Sequence, residues 1–215
     1  MDIKFKGAVF DVDGTILDSM DVWFYAAKKL LLQLGIKMSD SDIDAMRDMT
    51  LEESIPMILS RHNNQLSPHD ITKQLMELAA GEYRENILPK PNVCEYIKRL
   101  HENGVKIAIA TSGFPELAKS AFERIGIWQY IDAAAYSSEV MKNKSNPDVY
   151  MLAAERIGIA PCDCIVFEDL LLGIKGAKSG GFCTCAVADK SNTEEREALK
   201  ENADLYIRDF SELMS

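Results

Sequence analysis

Apolar positions along this chain follow two rhythms. Phe5 to Phe10 reads as a short buried strand. From about Met20 to Asn86 the apolar residues recur at helical spacing, with no strand-like alternation between them. Asp21 to Gln33 carries Val22, Tyr25, Ala26 and Leu30 at that spacing, and Gly35 is its natural stop. Ser41 is placed to cap a short helix through Arg47. Thr50-Leu51-Glu52-Glu53 has a capping-box pattern, so a helix is expected from there toward Ser60, bent or shortened by Pro56. Ser67-Pro68 sets a serine at the cap and a proline in the first turn of a further helix to about Asn86.

After Leu88-Pro89-Lys90-Pro91 the rhythm changes. Helices are expected over Val93–Asn103, Pro115–Arg124, Pro147–Ile157, Gly173–Ser179 and Thr193–Asn202. Between them lie short runs with strand character: Val105–Ala110, Ala133–Ser137, Cys164–Phe167, Phe182–Ala188 and Ala203–Ile207. Strands alternating with helices of about ten residues predict an α/β fold with a parallel sheet covered on both faces. The expected organisation is an α/β core of residues 1–18 and 88–215, interrupted by a helical insert of residues 19–87.

Composition narrows the class. The chain has 215 residues and is 47% hydrophobic, enough for a substantial core. Its 24 basic and 34 acidic residues give a net charge of −10, which argues against non-specific binding to nucleic acid or an anionic membrane. No apolar stretch approaches the roughly 18 residues of a membrane span. The opening residues lack the extended apolar run of a signal peptide, so a cytoplasmic location is expected. Five cysteines, Cys94, Cys162, Cys164, Cys183 and Cys185, have no zinc-type spacing and read as reduced thiols on or beside strands. His62, His69 and His101 match no ligand or triad spacing.

Four polar clusters follow predicted strands: Asp11 with Asp13, Thr111-Ser112-Gly113, Lys144, and Glu168-Asp169. In an open parallel sheet, ligands bind beyond the carboxyl ends of the strands, so these clusters are expected to converge. Residues i and i+2 of an extended segment point the same way, which brings the Asp11 and Asp13 carboxylates together. Such a pair calls for a cation or a proton between them. Glu168-Asp169 adds oxygens suited to a hard cation such as Mg²⁺. Thr111-Ser112-Gly113 offers hydroxyls and backbone N–H groups to an anion at a strand-to-helix junction. Lys144 would balance the charge, with Lys142 as its competitor.

These stretches resemble the four motifs of the haloacid dehalogenase superfamily. Phe10-Asp11-Val12-Asp13-Gly14-Thr15 is similar to the first and Ala110-Thr111-Ser112-Gly113 to the second. Lys144-Ser145-Asn146-Pro147-Asp148-Val149-Tyr150 is similar to the third, and Val166-Phe167-Glu168-Asp169 with Gly173-Ile174 and Ala177 to the fourth. The insert resembles the C1 helical cap of the β-phosphoglucomutase-like subfamily.

The resemblance implies a Rossmann-like core, an all-α cap and a Mg²⁺-dependent phosphatase acting on a small phosphorylated metabolite. It implies Asp11 as the nucleophile that forms an aspartyl-phosphate, and Asp13 as the acid and base, starting protonated. It implies Thr111, Ser112 and Gly113 around the phosphoryl oxygens, and Lys144 on both nucleophile and phosphate. Mg²⁺ would be held by Asp11, the Asp13 carbonyl and Asp169, with Glu168 as a ligand or an orienter. An acid at position 13 favours phosphoryl transfer over dehalogenation.

Trp23 stands where mutases of the subfamily carry a cap histidine, and Leu51 where they carry an arginine, so hydrolysis is favoured over sugar-phosphate mutase activity. A non-catalytic phosphometabolite sensor is the alternative of another class. Arg47 is a candidate substrate contact. Met20, Trp23, Phe24 and Tyr25 are read as packing within the insert. Ser145, in place of a proline, is expected to loosen the Lys144 loop, and Leu170, in place of a serine, to remove a hydrogen bond beside Glu168-Asp169. Oligomeric state is open, with a monomer expected.

Overall fold

The computed structural model describes residues 5–42, 51–62 and 66–214. The chain divides into two compact units, Met1–Ser19 with Ile87–Ser215, and Met20–Asn86.

The shorter unit contains α1 (Val22–Gln33), α2 (Leu51–Arg61) and α3 (Pro68–Glu85). Each buries one apolar stripe. On α1 it is Val22, Ala26, Ala27, Leu30 and Leu31. On α2 it includes Ile55, Ile58 and Leu59, and on α3 Ile71, Leu75, Ala79 and Tyr83. The aromatic residues of α1 are not on its stripe. Tyr25 is 57% exposed, and Trp23 and Phe24 are only half-buried, as is Met20 before the helix. The expectation that these residues pack inside the insert is corrected for Tyr25, which faces outward, while Met20, Trp23 and Phe24 are partly covered and small and branched side chains fill the buried stripe.

Two local expectations also change. Helix α2 runs through Pro56 to Arg61, so the proline does not shorten it. Pro56 removes one interior backbone hydrogen bond, and the helix continues past it with Ile55, Ile58 and Leu59 buried on the turns on either side. The cap before the helical residues 40–42 is Ser39 rather than Ser41. Ser39 N–H and Oγ donate to Asp42 Oδ2 at 2.9 and 2.7 Å, and Asp42 N–H returns to Ser39 Oγ at 3.3 Å. Arg61 completes the carboxylate by donating to Asp42 Oδ1 at 2.9 Å. The remainder of the helix expected through Arg47, and the Thr50 cap, lie outside the described residues. The Ser67 cap is present, its Oγ accepting from Asp70 N–H.

The larger unit is built on six parallel strands in the order β3-β2-β1-β4-β5-β6. These are β1 (Gly7–Phe10), β2 (Lys106–Thr111), β3 (Ala133–Tyr136), β4 (Cys164–Glu168), β5 (Cys183–Val187) and β6 (Leu205–Ile207). Helices α4 (Val93–Glu102), α5 (Pro115–Arg124), α6 (Ser137–Val140), α7 (Asp148–Ile157), α8 (Leu171–Ser179) and α9 (Arg196–Asn202) connect them. This is a doubly wound sheet whose order reverses between β1 and β4, the position at which such folds place ligands.

Strand alternation sorts the two faces. Phe10 and Phe167 are register partners on β1 and β4, and their rings stack with centroids 4.5 Å apart. Tyr96 and Phe210 close over that face. On the opposite face Val9, Ala108, Ala110 and Val166 pack with Val149, Tyr150 and Ala153 of α7. Gly7 admits this packing, because a methyl group there would stand 2.6 Å from Cys164 Sγ. Among the described residues, no helix is long and apolar enough to cross a membrane.

Candidate active site

The site follows from that alternation. Asp11 and Glu168 stand one residue beyond Phe10 and Phe167, so their side chains turn to the α7 face. Lys144, on the loop before α7, reaches both: its Nζ donates to Asp11 Oδ1 and, at 2.8 Å, to Glu168 Oε1. All three are buried. Lys142 is paired elsewhere, with Asp148 Oδ1 at 2.8 Å, so Lys144 is the lysine of the site.

Glu168 has both oxygens engaged. Tyr150 donates to Oε1 at 3.1 Å, and the Leu170 backbone N–H donates to Oε2 at 2.8 Å. Leu170 thus supplies a backbone hydrogen bond where a side-chain one is lacking. Ser145 does not loosen the Lys144 loop: its N–H and Asn146 Nδ2 both reach Asn143 Oδ1, at 3.2 and 3.3 Å, and its hydroxyl holds Asn146 Nδ2 at 3.2 Å.

Two glycines bring α8 against this cluster. A methyl group at Gly173 would stand 2.3 Å from Glu168 Oε1, and one at Gly176 would stand 2.0 Å from the Lys144 carbonyl oxygen. Gly14, at φ +88°, lets the loop after β1 lie on Asp169, where a methyl group would stand 2.4 Å from Oδ2.

Asp11, Glu168 and Asp169 offer oxygens that all lie within 4.8 Å of one another. Buried polar atoms are nearly always hydrogen-bonded, yet Asp11 Oδ2 and both Asp169 carboxylate oxygens have no protein partner. One lysine faces three buried carboxylates. Burial, set against Lys144 and reinforced by Glu168 and Asp13, pushes the Asp11 carboxyl up to about 7. Burial followed by the charges of Asp11 and Glu168 pushes Asp169 up to about 9. Burial lowers the pKa of Lys144, but Asp11 and Glu168 outweigh it and hold the ammonium charged. A pocket of orphaned, charge-crowded carboxylate oxygens fits a hard divalent cation in donor type and in charge.

The remaining expected residues border this cluster or lie away from it. Asp13 Oδ1 accepts from Ser19 Oγ at 2.6 Å, and Asp13 Oδ2 stands 3.0 Å from where a Gly113 methyl would be. Thr111 is buried at the end of β2, its Oγ1 accepting from the Gly113 N–H at 2.9 Å. Ser112 is exposed and shares a 2.9 Å hydrogen bond with Ser137 Oγ. Arg47 lies outside the described residues.

Three contributors had no role assigned to them from the sequence. Ser19 supports Asp13 from six residues away, Tyr150 supports Glu168, and Asn192 donates to the Asp169 carbonyl at 2.5 Å. Of the three only Tyr150 stood inside a motif, where no role was assigned to its hydroxyl.

The chain is 27% identical to fructose-1-phosphate phosphatase YqaB of Escherichia coli over 83% of this chain and 94% of that one. It is 26% identical to the β-phosphoglucomutase of Bacillus subtilis over 97% and 91%. In fold it resembles a putative β-phosphoglucomutase from Thermotoga maritima, with a TM-score of 0.83, 23% identity and 94% of each chain covered. The family model for haloacid dehalogenase-like hydrolases matches residues 8–187. The chain belongs to that family of hydrolases.

Proposed function

We propose that this protein is a Mg²⁺-dependent phosphatase of small phosphorylated metabolites, sugar phosphates foremost, working through an aspartyl-phosphate on Asp11. The observation that carries this reading is the Lys144 bridge between Asp11 and Glu168 beside carboxylate oxygens that lack any protein partner. The phosphatase named for fructose 1-phosphate among the relatives supports the substrate class.

Asp11, the Asp13 carbonyl and Asp169 would hold Mg²⁺. Glu168, whose oxygens are already occupied, acts as their orienter rather than as a ligand. When bound, the ion would supply positive charge that keeps the carboxylates ionised and offsets the charge of the phosphoryl oxygens. The Asp11 carboxylate attacks phosphorus, and the bond to the leaving oxygen breaks as Asp13 delivers a proton to it. Water then attacks the phosphorus of the aspartyl-phosphate, Asp13 takes its proton, and phosphate and Asp11 are regenerated. Thr111, with the Ser112 and Gly113 backbone, orients the phosphoryl oxygens, and Lys144 offsets their charge.

The test is Asp11→Asn assayed with an aryl phosphate and Mg²⁺. Turnover is expected to fall to background; wild-type turnover in the variant would refute the mechanism. A relative named β-phosphoglucomutase keeps the mutase reading in view. Incubation with β-glucose 1-phosphate and a bisphosphate primer is expected to release inorganic phosphate. Accumulation of glucose 6-phosphate would make the protein a mutase. Saturable binding without turnover across a phosphometabolite panel would make it a sensor.

A further inference from the structure

Beyond the four motif clusters, Lys90, Asp189 and Asn192 form a second group of buried polar side chains. Lys90 Nζ donates to Asp189 Oδ2 at 2.7 Å and to the Ala188 carbonyl at 2.9 Å. The other Asp189 oxygen accepts from Ser191 N–H and Oγ at 2.8 and 2.7 Å. Asp189 N–H donates to Asn192 Oδ1 at 3.3 Å, which leaves Asn192 Nδ2 to donate to the Asp169 carbonyl at 2.5 Å. The Asn192 amide therefore has one orientation, because a flip would lose both bonds.

That contact falls on a particular peptide unit. The peptide joining Asp169 to Leu170 offers its C=O to Asn192 and its N–H to Glu168 Oε2. It is clamped on both its C=O and its N–H, and its plane, with that of the preceding peptide, sets the direction in which the Asp169 side chain leaves the backbone. The far end of the network is anchored too, since Lys90 N–H donates to the Ile16 carbonyl at 2.8 Å, on the loop that carries Asp13. A buried lysine–aspartate pair is weak as a source of stability, because desolvation offsets most of its attraction. Holding one peptide plane is a task that a well-packed apolar cluster cannot perform.

We propose that Asn192 is a positioning residue for Asp169: through the Asp169–Leu170 peptide it aims the Asp169 carboxylate at the Mg²⁺ position. This rests on the Mg²⁺ reading above. It assigns Asn192 no contact with substrate.

The experiment is Mg²⁺ titration by calorimetry of wild type, Asn192→Ala and Asn192→Ser, with circular dichroism to establish folding. Mg²⁺ binding is expected to weaken by about 10-fold or more in the alanine variant. The serine variant, which keeps a donor on a shorter arm, should fall between. In wild type, the Asn192 side-chain NH₂ resonances should shift as Mg²⁺ saturates, a readout that needs no variant. A folded Asn192→Ala protein that binds Mg²⁺ within twofold of wild type overturns the proposal. So do Asn192 resonances that stay fixed through the titration. Absence of Mg²⁺ binding by wild type would instead reject the functional reading itself.

Discussion

Tyr150 donates to Glu168 Oε1, the same carboxylate oxygen that receives Lys144. Burial, with Glu168 and Asp11 nearby, pushes the phenol upward and keeps its proton in place, so the bond runs one way. Tyr150→Phe keeps the ring in its slot and removes only that donor. The variant is expected to lose about 1 kcal/mol of stability. Its kcat should drop by roughly tenfold, because Glu168 orients less firmly. Steady-state kinetics beside urea denaturation check both. A kcat equal to wild type would mean that Lys144 and the Leu170 N–H suffice.

Glycine at 173 is a steric requirement. Gly173→Ala would set a methyl group against Glu168 Oε1 and, 2.7 Å away, the Tyr150 hydroxyl. Activity is expected to fall by about 10²-fold, with about 1–3 kcal/mol lost in stability from overpacking. Gly81 on α3 is the control, since a methyl group there meets nothing within 4 Å. Gly81→Ala should raise stability by about 0.5–1 kcal/mol and leave turnover unchanged. Thermal melts of the two variants should move in opposite directions.

Asp13 and Asp11 should fail differently. Asp13→Ala is expected to keep Mg²⁺ and phosphate binding while losing roughly 10²–10⁴-fold in turnover of a sugar phosphate. The loss should be much smaller with p-nitrophenyl phosphate, whose leaving group needs no proton. Equal losses on the two substrates would remove Asp13 from the role of acid.

Asp42 gives a pH signature to the helical unit. Hydrogen bonds from Ser39, set against burial and joined by Arg61, hold its carboxyl at about 2, below its ordinary value. A depressed folded-state pKa adds stability above the unfolded value near 4, and that stability is lost as pH falls through about 2. Asp42→Asn should therefore cost on the order of 2 kcal/mol at pH 7. The gap from wild type should close between about pH 4 and pH 2. Denaturation curves at several pH values measure it, and a gap independent of pH would show that the carboxylate charge is not what Asn lacks.

How much was legible beforehand depended on the range of the interaction. Strand runs such as Val105 to Ala110, and the Ser67 cap, are local patterns, and their elements formed within a residue or two of expectation. The convergence of Asp11, Lys144, Glu168 and Asp169 was legible because polar residues follow strands of one parallel sheet. Asn192 was not. It sits at a kink within the short helical stretch Lys190–Glu195, and its partner is a backbone carbonyl 23 positions away that has no side-chain signature. Ser41 reads as the cap from the sequence because the pairing of Ser39 with Asp42, which places the cap two residues earlier, shows only in the fold. Helical spacing on α1 was real, but Tyr25 kept it while facing outward.

The place of β1 in the sheet has a consequence for how the protein is made. Strand β1, which leads into Asp11, is made before the other five strands, yet its two neighbours begin at Lys106 and Cys164. Unit Met20–Asn86 is continuous and can fold while β1 still lacks both partners. Of the six strands β1 is thus made first, yet its second neighbour arrives only with β4. Its apolar run Gly7–Phe10 has two open edges until β2 is made and one until β4 follows, the condition in which strands find wrong partners. Nascent chains halted short of residue 164 should be aggregation-prone and inactive, and chaperone demand should end only when β4 emerges.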